Sequence, residues 1–143
     1  MSNGVLVWPM FAMVVLTAVV LVHLFRSRVR AVRSGAITTT YFRAFQGAVE
    51  PEHAALASRH FSNLFEAPTL FYVACLAAIV THDTTMTAVM LAWAYVAARI
   101  VHTVVHLGGN RLKHRIRTYF GSWLILLAMW LHVVIHAASA PPA

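Results

Sequence analysis

Four long, almost uninterrupted apolar runs set the pattern of this chain. They cover residues 5–25, 64–80, 86–105 and 119–138. A helix that crosses a bilayer needs about 20 such residues, within a range of about 17–25. The pattern predicts membrane-spanning helices over residues 5–25, 51–80, 86–107 and 117–138. Because these segments nearly fill the 143 residues, we expect a single all-α domain, an integral membrane four-helix bundle.

Proline, glycine and polar residues mark where the helices begin, bend and end. Glu50-Pro51-Glu52 is typical of a helix start, with carboxylates near the positive end of the dipole. Pro68 removes one backbone hydrogen bond and predicts a kink just past Glu66. Gly35 favours an irregular connector from residue 26 to residue 48. The stretches 81–84 and 108–110 predict the turn before the third helix and the end of that helix.

The composition fits a membrane protein, with 60% hydrophobic and only 10% charged residues. Soluble domains carry about 25% charged residues. The first run has the length of a signal peptide, but its positive charges follow the apolar stretch and do not precede it. We therefore expect it to remain in the protein as a helix.

Eleven basic residues against four acidic ones give a formal charge of +7. Two clusters hold nine of the eleven: Arg26, Arg28, Arg30, Arg33 and Arg43 after the first run, and Arg111, Lys113, Arg115 and Arg117 before the fourth. By the positive-inside rule both clusters are cytoplasmic and both chain ends external. Basic charge also occurs in nucleic-acid-binding proteins, but arginines that flank apolar spans favour topology and contact with anionic membrane lipids. We expect no nucleic-acid partner.

Two polar stripes interrupt the apolar runs. Each has the spacing i, i+3, i+4, i+7, which places four side chains on one helix face. Ionisable groups are costly in a bilayer and usually face a bundle interior or a cavity. The stripes consist of Arg59, Ser62, Asn63 and Glu66, and of Arg99, His102, Thr103 and His106.

The two stripes are predicted to meet at one depth. Counted from the short turn at residues 81–85, Glu66 and Arg99 both lie roughly 21–23 Å below the external surface. An ion pair between them would lower the cost of both charges. Arg117 would add a cation beside free N–H groups at the start of the fourth helix. One interpretation is a buried network that only fixes helix register; the number of polar groups favours a ligand site.

Histidine and cysteine suggest further chemistry. His102/His106 and His132/His136 have i, i+4 spacing, which suits metal or haem ligation. The two pairs are predicted at opposite ends of the bundle, so they cannot share one metal, and we expect no metal site. The single Cys75 excludes an internal disulfide, and its apolar neighbours favour packing over a catalytic thiol.

The stripe motifs give the chain a family resemblance. Arg59-x-x-x-Asn63-x-x-Glu66, followed by a proline, is similar to the second-helix motif of the MAPEG family, the membrane-associated proteins in eicosanoid and glutathione metabolism. Arg99-x-x-His102-Thr103-x-x-His106, a later Arg117 and, more weakly, Arg43-Ala44-Phe45 extend it. The chain thus resembles a bacterial MAPEG member, which implies a homotrimer in the inner membrane.

The resemblance also implies a site for glutathione between subunits, near the cytoplasmic face. Arg59, Asn63 and Glu66 would hold the charged and amide groups of glutathione. Arg117 matches the arginine that stabilises the glutathione thiolate, and Arg43 a basic residue that reaches a neighbouring subunit. The remaining residues expected to line the same pocket are Arg99, His102 and His106. His106 stands where well-known family enzymes commonly carry tyrosine.

Two classes of function follow from these observations. The first is a glutathione-dependent transferase or peroxidase that acts on lipophilic electrophiles or lipid hydroperoxides, with glutathione as co-substrate. The second is a non-catalytic membrane protein of the same fold that binds anionic lipid or serves assembly. The second class is favoured by the basic loops and by the histidine at position 106.

Overall fold

The computed structural model describes residues 4–45, 49–109 and 111–139, and these are helical with no strand. In chain order the helices are α1 (Val7–Arg33), α2 (Tyr41–Ala44), α3 (Glu52–Asn63), α4 (Ala67–Val80), α5 (Met86–Leu107) and α6 (Leu112–Ser139). Helices α3 and α4 together make one crossing, so four segments are long and apolar enough to span a membrane. The predicted four-helix membrane bundle is confirmed.

Two helix ends differ clearly from the sequence prediction. Helix α1 continues eight residues past residue 25, because Arg, Ala and Val are all compatible with a helix; it ends where Gly35 adopts φ +73°. There the N–H groups of Gly35 and Ala36 bond to the carbonyls of Val32 and Ala31, which closes the last turn. Helix α6 begins at Leu112 instead of residue 117. Helix α5 ends at Leu107 as predicted, while Asn110 lies outside the described residues.

The predicted continuous helix over residues 51–80 is broken at residues 64–66. Glu66 has φ −91° and ψ −95°, far from helical values. Pro68 supplies no N–H for the carbonyl of Leu64, and the preceding turn tightens through bonds from Leu64 to Phe61 and from Phe65 to Ser62. The break therefore precedes Ala67, slightly earlier than the kink predicted just past Glu66.

The core lies where α1, α4, α5 and α6 meet. Phe71 of α4 stacks on Tyr95 of α5 with ring centroids 4.6 Å apart, and both are fully buried. Cys75 is also fully buried there, in agreement with a packing role. The buried faces of α4 and α5 include small residues, as is usual in membrane bundles. They are Ala74, Ala78, Ala88 and Ala92.

The two ends of the bundle carry different polar contacts. At the end where α1 stops and α6 starts, here named the basic end, the Arg28 guanidinium lies 5.3 Å from the Phe42 ring centroid and 4.0 Å from Glu50 Oε1. These contacts fix the connection between α1 and α3. At the opposite end, Asp83 lies in the turn between α4 and α5 and is fully buried.

Asp83 joins the α4–α5 turn to the last part of α6. His132 Nε2 lies 3.0 Å from Asp83 Oδ2, and the Thr85 hydroxyl donates to Oδ1 at 2.7 Å. Burial by itself raises the pKa of the Asp83 carboxyl. The hydrogen bonds from the Thr85 hydroxyl and backbone N–H, with the imidazoles of His132 and His136, outweigh burial and hold that pKa below its ordinary value.

Candidate functional site

A cavity of about 420 Å³ opens between α3, α5 and α6 near the basic end. Small-molecule sites commonly have volumes of about 300–1,000 Å³. The cavity combines both predicted stripes with one face of α6. Its lining residues are Arg59, Ser62, Asn63, Glu66, His102, His106, Arg115, Ile116, Tyr119 and Phe120. Five of the eight predicted site residues, Arg59, Asn63, Glu66, His102 and His106, are thus brought together.

Helix α3 and the break after it present the first stripe to the cavity. Arg59 and Glu66 are exposed and Asn63 is half-buried. Because α3 ends at Asn63, the Glu66 side chain follows the geometry of the break and not that of a continuous helix. The break thus decides how far the Glu66 carboxylate lies from Arg59.

Arg99 is placed behind the cavity, not in its lining. Its side chain is fully buried, and Nη2 donates to the backbone carbonyl of Asn63 at 3.2 Å. Among the described residues no carboxylate lies within 4.0 Å of this guanidinium. The predicted ion pair with Glu66 is therefore wrong, because the carbonyl freed by the helix break binds the guanidinium instead.

Two threonine hydroxyls determine which ring nitrogen carries the hydrogen in two buried histidines. Thr118 donates its hydroxyl hydrogen to backbone carbonyls one turn earlier, so its oxygen accepts from His102 Nδ1 at 3.0 Å. In the same way Thr103 donates to the carbonyl of Arg99 and accepts from His60 Nε2 at 2.9 Å. The neutral imidazoles consequently keep lone pairs on His102 Nε2 and His60 Nδ1.

His60 is a buried residue that the sequence analysis did not single out. Its ring lies 4.7 Å from that of His106 and 5.5 Å from that of His102, between centroids. The available signal was its register: His60 follows Ala54 and Ala57 at intervals of three, and all three are fully buried. A polar residue in such a stripe indicates an interior hydrogen-bonding role.

The α6 wall of the cavity contains Arg115, which the sequence analysis did not assign to the site. Arg115, Ile116, Tyr119 and Phe120 form two i, i+4 pairs on one helix face. Because the fourth helix was predicted to begin at residue 117, Arg115 fell outside the helical pattern. Arg117 is exposed and lies outside the cavity lining.

Arg43, on the short helix α2, is likewise exposed and outside the cavity lining. The cavity itself is rich in positive charge. Arg59 and Arg115 line it and Arg99 lies behind it, against the single carboxylate of Glu66. Ile116 and Phe120 are exposed on the α6 side, at 46% and 62%. The arrangement suits a ligand with anionic groups at one end, beside an exposed apolar surface.

The two histidine pairs lie at opposite ends of the bundle. His102 and His106 line the cavity, whereas His132 and His136 adjoin Asp83. In the ranges 4–45, 49–109 and 111–139, no group of three or more His, Cys, Asp or Glu side chains is placed to hold a metal ion.

Comparison with known protein families gives a match over most of the chain. A sequence model of the MAPEG family matches residues 6–135, most of the chain. No curated protein and no solved structure matches this chain.

Proposed function

The chain belongs to the MAPEG family, and we propose that it is a membrane-embedded, glutathione-dependent transferase or peroxidase. The observation that carries this proposal is the cavity that unites Arg59, Asn63 and Glu66 with Arg115. Glutathione has two carboxylates, one ammonium group, two amides and a thiol. Arginines suit the carboxylates, Glu66 suits the ammonium and Asn63 suits an amide, through charge-assisted and neutral hydrogen bonds.

The reactive group in this proposal is the glutathione thiolate. A free thiol of this kind has a pKa of about 8.5, so a nearby cation is needed to favour the anion at neutral pH. Arg115 lines the cavity and takes this role. Arg117, which the family resemblance suggests for the same role, is exposed two residues further along α6 and is the competing candidate.

The second substrate is lipophilic and enters from the bilayer past Ile116 and Phe120. In the transferase reaction the thiolate forms a carbon–sulfur bond while the leaving group departs with its electron pair. In the peroxidase reaction a hydroperoxide and two glutathione molecules give an alcohol, water and glutathione disulfide. Both reactions begin with the thiolate beside an apolar surface; the peroxidase reaction also consumes a second glutathione, and the two thiol protons end in the alcohol and the water.

Further parts of the proposal rest on family resemblance and charge. We infer a homotrimer in which glutathione binds between subunits, with Arg43 of one subunit reaching the site of the next. We also infer an inner-membrane location with the basic end in the cytoplasm, because the positive-inside rule places both arginine clusters there. Membrane lipids surround the assembly, and the cytoplasm supplies glutathione.

Calorimetry with the purified protein tests the glutathione site. We expect saturable binding, weakened about tenfold or more by Arg59→Ala and by Glu66→Ala, since each loses a charge-assisted contact. Glu52→Ala is the matched control, because Glu52 is an exposed glutamate outside the cavity lining. Absence of binding at millimolar glutathione would contradict the proposal.

A second candidate is a non-catalytic protein that binds anionic lipid or serves assembly. It is favoured by Arg26, Arg30 and Arg33, which are exposed on α1 and form no ion pair with any described residue. Turnover of a chloronitrobenzene electrophile with glutathione separates the candidates. Turnover supports the enzyme, whereas lipid binding with neither turnover nor a thiolate absorbance band supports the second candidate.

A further inference from the structure

Three hydrogen bonds, two buried and one partly buried, connect α5 to α3 at two points beside the cavity. His60 of α3 donates to Thr103 at 2.9 Å, and Thr103 donates to the carbonyl of Arg99 at 2.8 Å. The side chain of the same residue, Arg99, donates from Nη2 to the backbone carbonyl of Asn63 at 3.2 Å. This series of hydrogen bonds therefore leaves α3 at His60 and returns to it at Asn63, three residues later.

The last contact of this series lies at the helix break. In a continuous helix the Asn63 carbonyl would accept from the N–H of Ala67, one turn later. The non-helical Glu66 separates these residues, so the carbonyl needs another donor. The guanidinium of Arg99 supplies it from the neighbouring helix, and so holds the end of α3 against α5.

The burial of Arg99 argues against direct contact with a ligand. Its side chain is fully buried and absent from the cavity lining, and its Nε and Nη1 atoms have no hydrogen-bond partner among the residues that the structure describes. The bond that the guanidinium does form is to the backbone carbonyl of Asn63, at the edge of the cavity. Its contribution to the site is therefore one of position.

From this geometry we propose that Arg99, Thr103 and His60 form a brace that positions Asn63 and Glu66 for glutathione. The brace sets the direction in which the chain leaves α3, and with it the separation between the Asn63 amide and the Glu66 carboxylate. Arg99 and His60 are positioning residues and do not touch the ligand. The binding part of this proposal rests on the proposed function.

Two matched pairs of variants test the brace. Arg99→Met removes the donor and Arg99→Lys keeps a cationic donor; Thr103→Val removes the hydroxyl and Thr103→Ser keeps it. We expect the Met and Val variants to raise the glutathione Kd and KM about tenfold, with kcat at saturating glutathione within about twofold of the wild type. For the Lys and Ser variants, we expect log Kd and log KM to rise by no more than half as much as in the Met and Val variants.

Amide hydrogen exchange in the ligand-free protein gives an independent readout. Exchange at residues 65–67 should become about tenfold faster in the Met and Val variants, while exchange at the end of α4 stays unchanged. If Arg99→Met does not fold, the Thr103 pair decides. Faster exchange without glutathione binding by the wild type would overturn the proposed function and leave the brace standing.

Unchanged exchange and unchanged Kd in folded Met and Val variants would overturn the brace. A raised Kd with unchanged exchange would also overturn it, because Arg99 would then act by contact with the ligand. A parallel fall in kcat and rise in KM that the Lys and Ser variants do not reverse would indicate a general structural role, and would equally contradict the proposal.

Discussion

Neighbouring positions on one helix have different roles at this site. Arg115 and Arg117 are two residues apart on α6, which on an α-helix places them about 200° apart around the axis. Arg115 accordingly lines the cavity, while Arg117 is exposed outside it. The sequence prediction began the fourth helix at residue 117 and assigned Arg117 alone to the site, whereas α6 begins at Leu112 and places Arg115 on the cavity face.

The thiolate absorbance of bound glutathione distinguishes these two arginines. We expect Arg115→Ala to reduce the ultraviolet thiolate band at pH 7 on the order of tenfold, because the nearby cation that favours the anion is lost. Arg117→Ala, the matched control, should leave the band nearly unchanged. If Arg117→Ala lost the band and Arg115→Ala kept it, Arg117 would be the residue that stabilises the thiolate.

A second residue-scale consequence concerns Asp83. Its pKa in the folded protein lies below the ordinary value, so its contribution to stability is fully present above the unfolded pKa, near about 4. That contribution is lost as pH falls through the lower, folded pKa. The carboxylate therefore stabilises the α4–α5 turn at neutral pH and ceases to do so in acid.

Asp83→Asn tests this dependence through thermal unfolding in detergent. At pH 7 we expect the variant to be less stable by about 1–3 kcal/mol, because the hydrogen bonds to a charged acceptor become neutral ones. The difference should shrink as the pH is lowered below about 4. Glu52→Gln, at an exposed position, is the control. An equal difference at pH 7 and pH 3 would contradict the assignment.

At the scale of helices, the lengths of the apolar runs correctly predicted the number of membrane crossings. They did not predict the residues at which the helices end. The four apolar runs correctly gave four crossings and an all-α bundle. Helix α1 extends into arginine-rich sequence because charge does not end a helix; the left-handed Gly35 does. Likewise, the spacing of its residues predicted the polar stripe on α3. The contact of Arg99 could not be predicted in this way, because it depends on the Asn63 carbonyl that the helix break leaves without a helical partner.

The two glycines Gly35 and Gly121 give opposite expectations for the same substitution. Gly35 has φ +73°, so Gly35→Ala should destabilise the protein by about 1 kcal/mol. Gly121 lies within α6, and an added Cβ meets nothing within 4 Å. Gly121→Ala should therefore stabilise by about 0.4–1 kcal/mol. Chemical or thermal unfolding measures the change in stability of both variants. Changes of the same sign would contradict the role of Gly35 in ending α1.

For the whole molecule, charge distribution sets the expected orientation. Both arginine clusters belong to the basic end, and the turn at residues 81–85 contains no Lys or Arg. Helix α1 begins and α6 ends at the same side as that turn. The cavity consequently opens near the more positively charged side of the bundle.

Reporter fusions at the two chain ends test this orientation. We expect both to report an external location, since the arginine-rich connections remain in the cytoplasm. A fusion inserted at residue 109 serves as the control and should report the cytoplasm. A cytoplasmic signal from either chain end would overturn the charge argument. Mass measurement of the detergent-solubilised protein tests the trimer separately.

The break between α3 and α4 also has a consequence for how this crossing enters a membrane. Helix α4 has 14 residues and a length of about 21 Å, short of a hydrocarbon layer of about 30 Å. The remaining depth is crossed by the end of α3, where Arg59 and His60 would be costly beside lipid. During biogenesis this segment is therefore a weaker autonomous inserter than α1 or α6. Its stable insertion waits for α5, whose Arg99 and Thr103 supply the polar partners that lipid lacks.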